Sequence, residues 1–142
     1  GKSLPIYGDG KNIRDWIYVD DHVKALIDVL KKGKVGETYN IGSNTEKTNL
    51  EVVSSICDIM DVINPKIHLK NHHDLITYVK DRPGHDERYA LNTTFFKKII
   101  EYKIQNNLYK TLENTIDWYI ENDLWIKNVN RSYKNKRQGL ID

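Results

Sequence analysis

Apolar positions in this chain recur at two periods, and the change of period marks out its elements. Residues 1–20 read as two short extended pieces joined by a Gly8-Asp9-Gly10 turn. Val23, Leu26, Ile27 and Leu30 then follow helical spacing, which predicts a helix capped by Asp20 or Asp21, running to about Lys32 and stopped by Gly33 and Gly36. Thr38-Tyr39-Asn40-Ile41 has the composition of a strand, and Ser43 to Lys47 reads as a polar loop. Thr48-Asn49-Leu50-Glu51 is a capping-box pattern. It opens a helix to about Met60 that buries Leu50, Val53, Ile56 or Cys57, and Met60.

Pro65 closes that region, and a polar loop through Asn71-His72-His73-Asp74 leads to a β-branched and aromatic strand, Ile76 to Val79. Asn92 is placed to cap a helix carrying Phe95, Phe96, Ile99 and Ile100. A last helix from about Lys110 to Glu121 puts Leu112, Ile116 and Tyr119 on one face, with Trp118 and Trp125 over its end. From Ile126 the chain is polar and basic, with Lys127, Arg131, Lys134, Lys136 and Arg137. This order is α/β. The helix at 21–32 and the strand at 38–41 suit part of a doubly wound sheet, and the remainder suits a small α/β cap.

Composition narrows the partners. With 142 residues the chain is long enough for one domain with a real core. A net charge of +2 points to neither nucleic acid nor an anionic membrane. The hydrophobic share, 39%, is low for a compact domain, which fits a piece that leans on a partner domain or a plain compositional bias. Cys57 is the only cysteine, so no intrachain disulfide forms, and a reducing compartment such as the cytoplasm is expected. No apolar run reaches membrane-spanning length, no signal peptide opens the chain, and Gly1 stands where an initiator methionine would.

The densest chemistry lies in Asp81-Arg82-Pro83-Gly84-His85-Asp86-Glu87-Arg88-Tyr89. Pro83 fixes φ and Gly84 accepts positive φ, so the backbone turns here, directly after a strand. Such a turn suits the presentation of a guanidinium to a small anion. From composition alone, a solvated surface turn is the competing reading. Upstream, Tyr7-Gly8-Asp9-Gly10-Lys11-Asn12-Ile13-Arg14-Asp15-Trp16 adds a second arginine. Each arginine has local carboxylates to pair with instead: Asp15 or Asp20 for Arg14, and Asp81 or Asp86 for Arg82.

Leu4-Pro5-Ile6-Tyr7-Gly8, Ile13-Arg14-Asp15-Trp16, Tyr18-Val19-Asp20-Asp21-His22, Glu37-Thr38-Tyr39-Asn40-Ile41-Gly42, Asn49-Leu50 and Asp81 to Tyr89 form an ordered set. In this order and spacing, from Leu4 to about Tyr119, the chain resembles the dTDP-glucose 4,6-dehydratases of the extended short-chain dehydrogenase/reductase class. Arg82-Pro83-Gly84-His85-Asp86 is the more specific part. The likeness is to the C-terminal, substrate-binding portion of such an enzyme, with an incomplete Rossmann sheet. It implies a nucleotide-sugar-binding portion over residues 1–125, to which 21–47 add a helix and a strand of the Rossmann domain, and a basic tail over 126–142.

Several expectations come from that resemblance. The complete enzyme would oxidise the sugar C4 of dTDP-glucose with NAD, eliminate water across C5–C6 and return the hydride to C6, giving a deoxysugar precursor such as that of rhamnose. An absent N-terminal Rossmann half would hold the NAD, and the complete enzyme is expected to be a homodimer. Here, Arg14 and Arg82 match positions at the substrate diphosphate, as planar guanidinium groups gripping phosphate oxygens. Pro5, Ile6 and Tyr7 match the nucleoside pocket. Asn49, at a helix start with free N–H groups nearby, and Asp81, Pro83, Gly84 and His85 complete the expected substrate contacts. Other nucleotide-sugar epimerases, decarboxylases or dehydratases are the nearest alternative, and a non-catalytic sugar-nucleotide-binding module is the alternative outside the enzyme class. Glu101-Tyr102-Lys103 departs from the family's usual Gly-Trp and proline.

The residues expected to do catalysis are missing. No glycine-rich turn follows a first strand, since Gly33-Lys34-Val35-Gly36 is succeeded by Tyr39 at the third glycine's place. Tyr7 and Lys11 have the spacing of a catalytic Tyr-x-x-x-Lys, but Gly8 and Gly10 argue against the helix that would put them on one face. These 142 residues alone are therefore expected to be inactive. His72-His73-Asp74 reads as a solvent-exposed insertion and not a metal site, because adjacent histidines in an extended loop point apart. Cys57 reads as a small buried hydrophobe, and the tail as a solvated end.

Overall fold

A computed structural model describes residues 1–65, 71–99 and 107–132. The elements, in chain order, are β1 (Leu4–Tyr7), β2 (Ile13–Asp15), α1 (Val19–Lys32), β3 (Glu46–Thr48) and α2 (Asn49–Ile63). A short 3₁₀ turn (His72–Leu75) then precedes β4 (Ile76–Val79), α3 (Thr94–Ile99), α4 (Leu108–Glu121) and α5 (Asp123–Ser132). Ile100, Glu101-Tyr102-Lys103 and the basic residues after Ser132 lie outside the described residues.

The two extended pieces at the N-terminus do not pair with each other. Gly8 and Gly10 take positive φ, 59° and 73°, and swing the chain from one sheet to another. β1 pairs in parallel with β4, Leu4 opposite Ile76 through Tyr7 opposite Val79. β2 pairs antiparallel with β3, Ile13 opposite Thr48. β3 takes the last two residues of the segment expected to be a polar loop, together with Thr48. Glu-Lys-Thr carries no apolar alternation, and the strand exists because β2 supplies its hydrogen bonds.

α1 starts at Val19, so Asp20 and Asp21 lie inside its first turn and give no side-chain cap; they oppose the helix dipole there, as Lys31 and Lys32 do at the other end. Its covered face is narrow: Ala25 and Phe96 are buried together, with Val29, Tyr39, Ile41 and Ile99 packed around them. The face defined by Val23, Leu26, Ile27 and Leu30 is exposed instead, Leu30 to 86%. The periodicity was correctly that of a helix, but no described element covers that stripe. Residues 38–41 likewise form no strand, because no strand among the described residues lies alongside to bond with them. Tyr39 and Ile41 keep their inward packing all the same.

The capping box forms as the sequence requires. Glu51 N–H donates to Thr48 Oγ1 at 3.1 Å, and Thr48 N–H donates to Glu51 Oε2 at 2.8 Å. α2 buries Val52, Cys57 and Ile59, while Leu50, Val53, Ile56 and Met60 are half-buried. The buried set is shifted from the expected one because the helix is enclosed from two sides. α4 contributes Leu112 and Ile116 to an apolar cleft shared with Ile56 and Met60. The 3₁₀ turn closes the other side: His72 is buried with Nδ1 on Asp61 Oδ1, and His73 Nε2 lies 2.8 Å from Asp58 Oδ1. The histidine pair is thus docked on α2 and is not a solvent-exposed insertion. Trp118 meets Trp125 edge to face at 5.1 Å, and Trp125 stands on α5, a helix that the polar residues after Ile126 concealed.

One carboxylate joins the parts. Asp15 Oδ1 accepts the Ser43 hydroxyl at 2.8 Å and the Thr45 N–H at 2.9 Å, and its Oδ2 accepts the Asn44 N–H at 3.2 Å. Asn44, held at φ 60°, accepts in turn from the buried Thr93 hydroxyl just before α3 at 2.9 Å. The approach is so close that a Cβ on Gly42 would lie 2.4 Å from Asp15 Oδ2.

Gly42→Ala should destabilise the chain by roughly 1–3 kcal/mol, read as a lowered midpoint in denaturant; an unchanged midpoint would show the loop to be compliant. The exposed α1 stripe leads to a second expectation. The 142-residue chain produced alone should associate and melt with poor cooperativity, and Leu26→Glu with Leu30→Glu should reduce the association in sedimentation velocity. A sharp, reversible melt of a monomer at all concentrations would contradict it.

Candidate functional site

β2 lies between two neighbours, and this places the arginines. On one side is β3. On the other, Ile13 N–H donates to Glu87 O at 2.7 Å and Tyr89 N–H donates to Ile13 O at 3.0 Å, so the end of the 81–89 turn docks on β2. Arg14 therefore emerges beside that turn. Its Nη1 donates to Ile13 O at 2.6 Å and its Nη2 to Asp86 O at 3.0 Å, and its guanidinium carbon lies 4.6 Å from the centre of the Tyr89 ring. Asn12 Nδ2 donates to the same Asp86 carbonyl at 3.2 Å.

Arg82 begins the turn that follows β4. His85 N–H donates to Arg82 O at 3.3 Å across Pro83 and Gly84, and Gly84 sits at φ 66° as the third position of a type II turn demands. Asp81 holds the turn from within: its Oδ1 accepts the Arg82 N–H at 2.8 Å and faces His85 Nδ1 at 2.7 Å. The hydrogen bond with His85 is the main reason that the Asp81 carboxyl is held below its ordinary value of 3.8. Asp81 Oδ2 also sits where a Cβ on Gly8 would be, at 2.8 Å.

The Arg82 guanidinium lies 5.3 Å from the centre of the Tyr7 ring. Thus Arg14 and Arg82 each rest on a tyrosine face, and neither forms an ion pair among the described residues. Both are near enough to the Tyr89 phenol to favour its ionised form, an effect outweighed by the Asp86 carboxylate, which accepts the Tyr89 hydroxyl and raises its pKa. Neither arginine forms an ion pair with the local carboxylates that the sequence offered, although the Arg82 charge helps to hold the Asp81 carboxyl down. Arg88 behaves oppositely. Its Nε and Nη2 bind both Glu46 oxygens at 2.7 and 2.8 Å, fastening the turn to β3.

Ile6 is buried and Pro5 exposed, with Tyr7 between them in accessibility. Pro83 and Gly84 are exposed. His85 is turned inward, its side chain 5% exposed, and its Nδ1 is committed to Asp81. Asn49 departs from expectation in one respect. The N–H groups at the start of α2 are not free: Asn49 N–H goes to Asn12 O and Leu50 N–H to Gly10 O, each at 3.0 Å, and Glu51 N–H to Thr48. Only its amide side chain remains available. Lys11 pairs with Asp9 at 2.9 Å, and a turn, not a helix, separates it from Tyr7.

Sequence reasoning missed Asn12, Asp86 and Tyr89 as neighbours of Arg14, and Glu46 as the partner of Arg88. The last two residues of the charged stretch, Arg88-Tyr89, were the available signal: an arginine and a ring at adjacent positions of an extended segment face opposite ways.

Asp81 should order this turn down to a lower pH than an unpaired aspartate would. A carboxyl depressed in the folded state supports folding above its unfolded value, near 3.8, and loses that contribution as pH falls through the lower folded value. An acid titration followed by amide NMR should show Arg82 and His85 losing their folded shifts only below that range. Asp81→Asn should remove the transition.

Known proteins resemble this chain along most of its length. It is 49% identical over 129 residues to dTDP-glucose 4,6-dehydratase 1 of Escherichia coli, covering 91% of this chain and 35% of that protein. A probable dTDP-glucose 4,6-dehydratase of Sinorhizobium fredii is 43% identical over 142 residues, covering 99% of this chain and 40% of the relative. Among solved structures, dTDP-glucose 4,6-dehydratase of Bacillus anthracis in complex with NAD superposes with a TM-score of 0.72 at 43% identity, over 87% of this chain and 36% of that one. The chain thus spans well under half the length of these relatives. The family model for GDP-mannose 4,6 dehydratase matches residues 1–115, a span that holds both arginines, both tyrosine faces and the whole 81–89 turn. With its α/β elements superposing on extended short-chain dehydrogenase/reductases, this chain belongs to the GDP-mannose 4,6-dehydratase family, alongside the dTDP-glucose 4,6-dehydratases.

Proposed function

We propose that this chain supplies the nucleotide-sugar grip of a dTDP-glucose 4,6-dehydratase, which converts dTDP-glucose to dTDP-4-keto-6-deoxyglucose and water. The observation that carries the reading is the pair of unneutralised guanidinium groups, Arg14 from β2 and Arg82 from the turn after β4, brought close to one phenol. A nucleoside diphosphate carries about two negative charges, and two planar forks on separate segments suit its two phosphates. Tyr7 with Pro5 and Ile6 borders the grip on the β1 side and offers a flat apolar edge to a pyrimidine. The Asn49 amide, at the end of β3 beside β2, offers a further polar contact.

Asp81, Pro83, Gly84 and His85 shape this grip by setting the turn that carries Arg82. The contribution to catalysis is orientation: the diphosphate is fixed so that the hexose meets reactive groups elsewhere.

NAD would serve the whole enzyme as its hydride carrier, but the described residues do not fit it. A dinucleotide turn needs free N–H groups after a strand. The N–H of Gly8 is bonded to Val79 O at 3.0 Å, that of Gly10 to Tyr7 O at 3.2 Å and that of Gly33 to Val29 O at 2.7 Å. NAD is therefore assigned to residues outside this sequence, in a cytoplasmic homodimer. No helix among the described residues is long and apolar enough to cross a membrane.

Arg14→Ala and Arg82→Ala, each made in the intact protein carrying these residues, should weaken dTDP-glucose binding by about one to two powers of ten, since each removes charge-assisted hydrogen bonds contributing roughly 1.5–3 kcal/mol. Lysine at either position should restore only part, as it keeps the charge and loses the fork. NAD affinity should stay the same. Calorimetric titration decides it, and an Arg82→Ala protein with full dTDP-glucose affinity would make the turn purely structural.

A further inference from the structure

Arginines at an anion site are commonly held by carboxylates, which fix the guanidinium but cancel its charge. Arg14 is held otherwise. Below it lies the Tyr89 ring at 4.6 Å, within cation–π range, and two backbone carbonyls, of Ile13 and Asp86, accept from its nitrogens at 2.6 and 3.0 Å. All three partners are formally neutral.

Tyr89 is itself fixed at both ends. Its N–H is bonded to Ile13 O, one residue from Arg14, and its hydroxyl donates to the Asp86 carboxylate. The Asp86 backbone carbonyl then receives both Arg14 Nη2 and Asn12 Nδ2. Ring and backbone carbonyls thus hold the guanidinium directly, and the carboxylate contacts only the ring's hydroxyl. The neighbouring Arg88 points to Glu46, so the segment delivers one arginine into a charge-neutralising pair and a ring to the other arginine.

We propose that Tyr89 is a positioning residue of the diphosphate grip: its ring, held in place by the backbone bond of Tyr89 to Ile13, seats the Arg14 guanidinium without neutralising it. This rests on the reading of Arg14 as a phosphate contact. Tyr89 is 56% exposed, so its replacement removes little core.

The test measures thymidine diphosphate and thymidine binding to the intact protein, by calorimetry and by NMR titration respectively. Tyr89→Phe keeps the ring and should hold thymidine diphosphate affinity within about threefold. Tyr89→Leu and Tyr89→Met lack a π face and should weaken it by about five- to thirtyfold, the span of a cation–π contact between exposed and desolvated settings. Tyr89→Trp should restore it. Thymidine, which has no diphosphate, should bind all variants alike, which a general loosening of the fold would not allow.

Arg14→Ala separates the two readings. If it weakens thymidine diphosphate binding while Tyr89→Leu and Tyr89→Met do not, the grip stands and the aromatic seat is overturned. If Arg14→Ala has no effect, the grip falls and the seat with it. Equal losses of thymidine and thymidine diphosphate in the Tyr89 variants also overturn the proposal, since they mark a role in folding alone.

Discussion

The Asp15 carboxylate is the constraint on which the rest of the arrangement depends. It gathers a hydroxyl and two backbone N–H groups from residues 43–45, and so ties β2 to the loop that leads into β3. That tie brings Glu46, Lys47 and Thr48, which carry no apolar face, alongside β2, whose hydrogen bonds make them β3. β2 in turn fixes where Arg14 emerges and where the 81–89 turn docks. The Asp15 carboxylate also reaches Thr93 through Asn44, linking the small core at Ala25 and Phe96 to the sheet that bears Arg14.

Much of this was legible in the sequence where the determining interactions are local. The Thr48–Glu51 box needs only residues three apart, and it forms as read. The Pro83-Gly84 turn needs only two backbone preferences. The strand at 76–79 was legible from its β-branched and aromatic residues. What was not legible depends on partners distant in the chain. Residues 38–41 have strand composition but no neighbour, whereas 46–48 have loop composition and a neighbour that makes them a strand. The histidine pair looked like a surface loop because its partners, Asp58 and Asp61, are one turn apart on a helix that the loop folds back upon.

The candidate site shows the same division. Arg14 and Arg82 were identifiable as arginines in a charged context, but their surroundings were not. Sequence proximity favoured pairing with Asp15, Asp20, Asp81 or Asp86. Geometry instead directs Asp15 to a loop, Asp81 to His85 and the Asp86 carboxylate to Tyr89. The acidic residues beside the arginines thus build the frame, and none of their carboxylates hydrogen-bonds a guanidinium side chain. Charge counting cannot reveal this, since it does not tell that Arg14 and Arg82 rest on tyrosine rings while Arg88 pairs with Glu46.

The parallel pairing of β1 with β4 has a consequence for synthesis. Leu4 meets Ile76, and parallel partners cannot be joined by a tight turn, so β1 leaves the ribosome long before its partner exists. At roughly 5–20 residues per second, that interval lasts several seconds. Throughout it the edge of Leu4–Tyr7 that β4 will occupy stays open, while α1 and α2, whose hydrogen bonds are local, can already form. The nascent chain therefore passes through a stage with these helices made and Leu4–Tyr7 still without β4, the stage at which a chaperone or a mispaired neighbour has access to that edge.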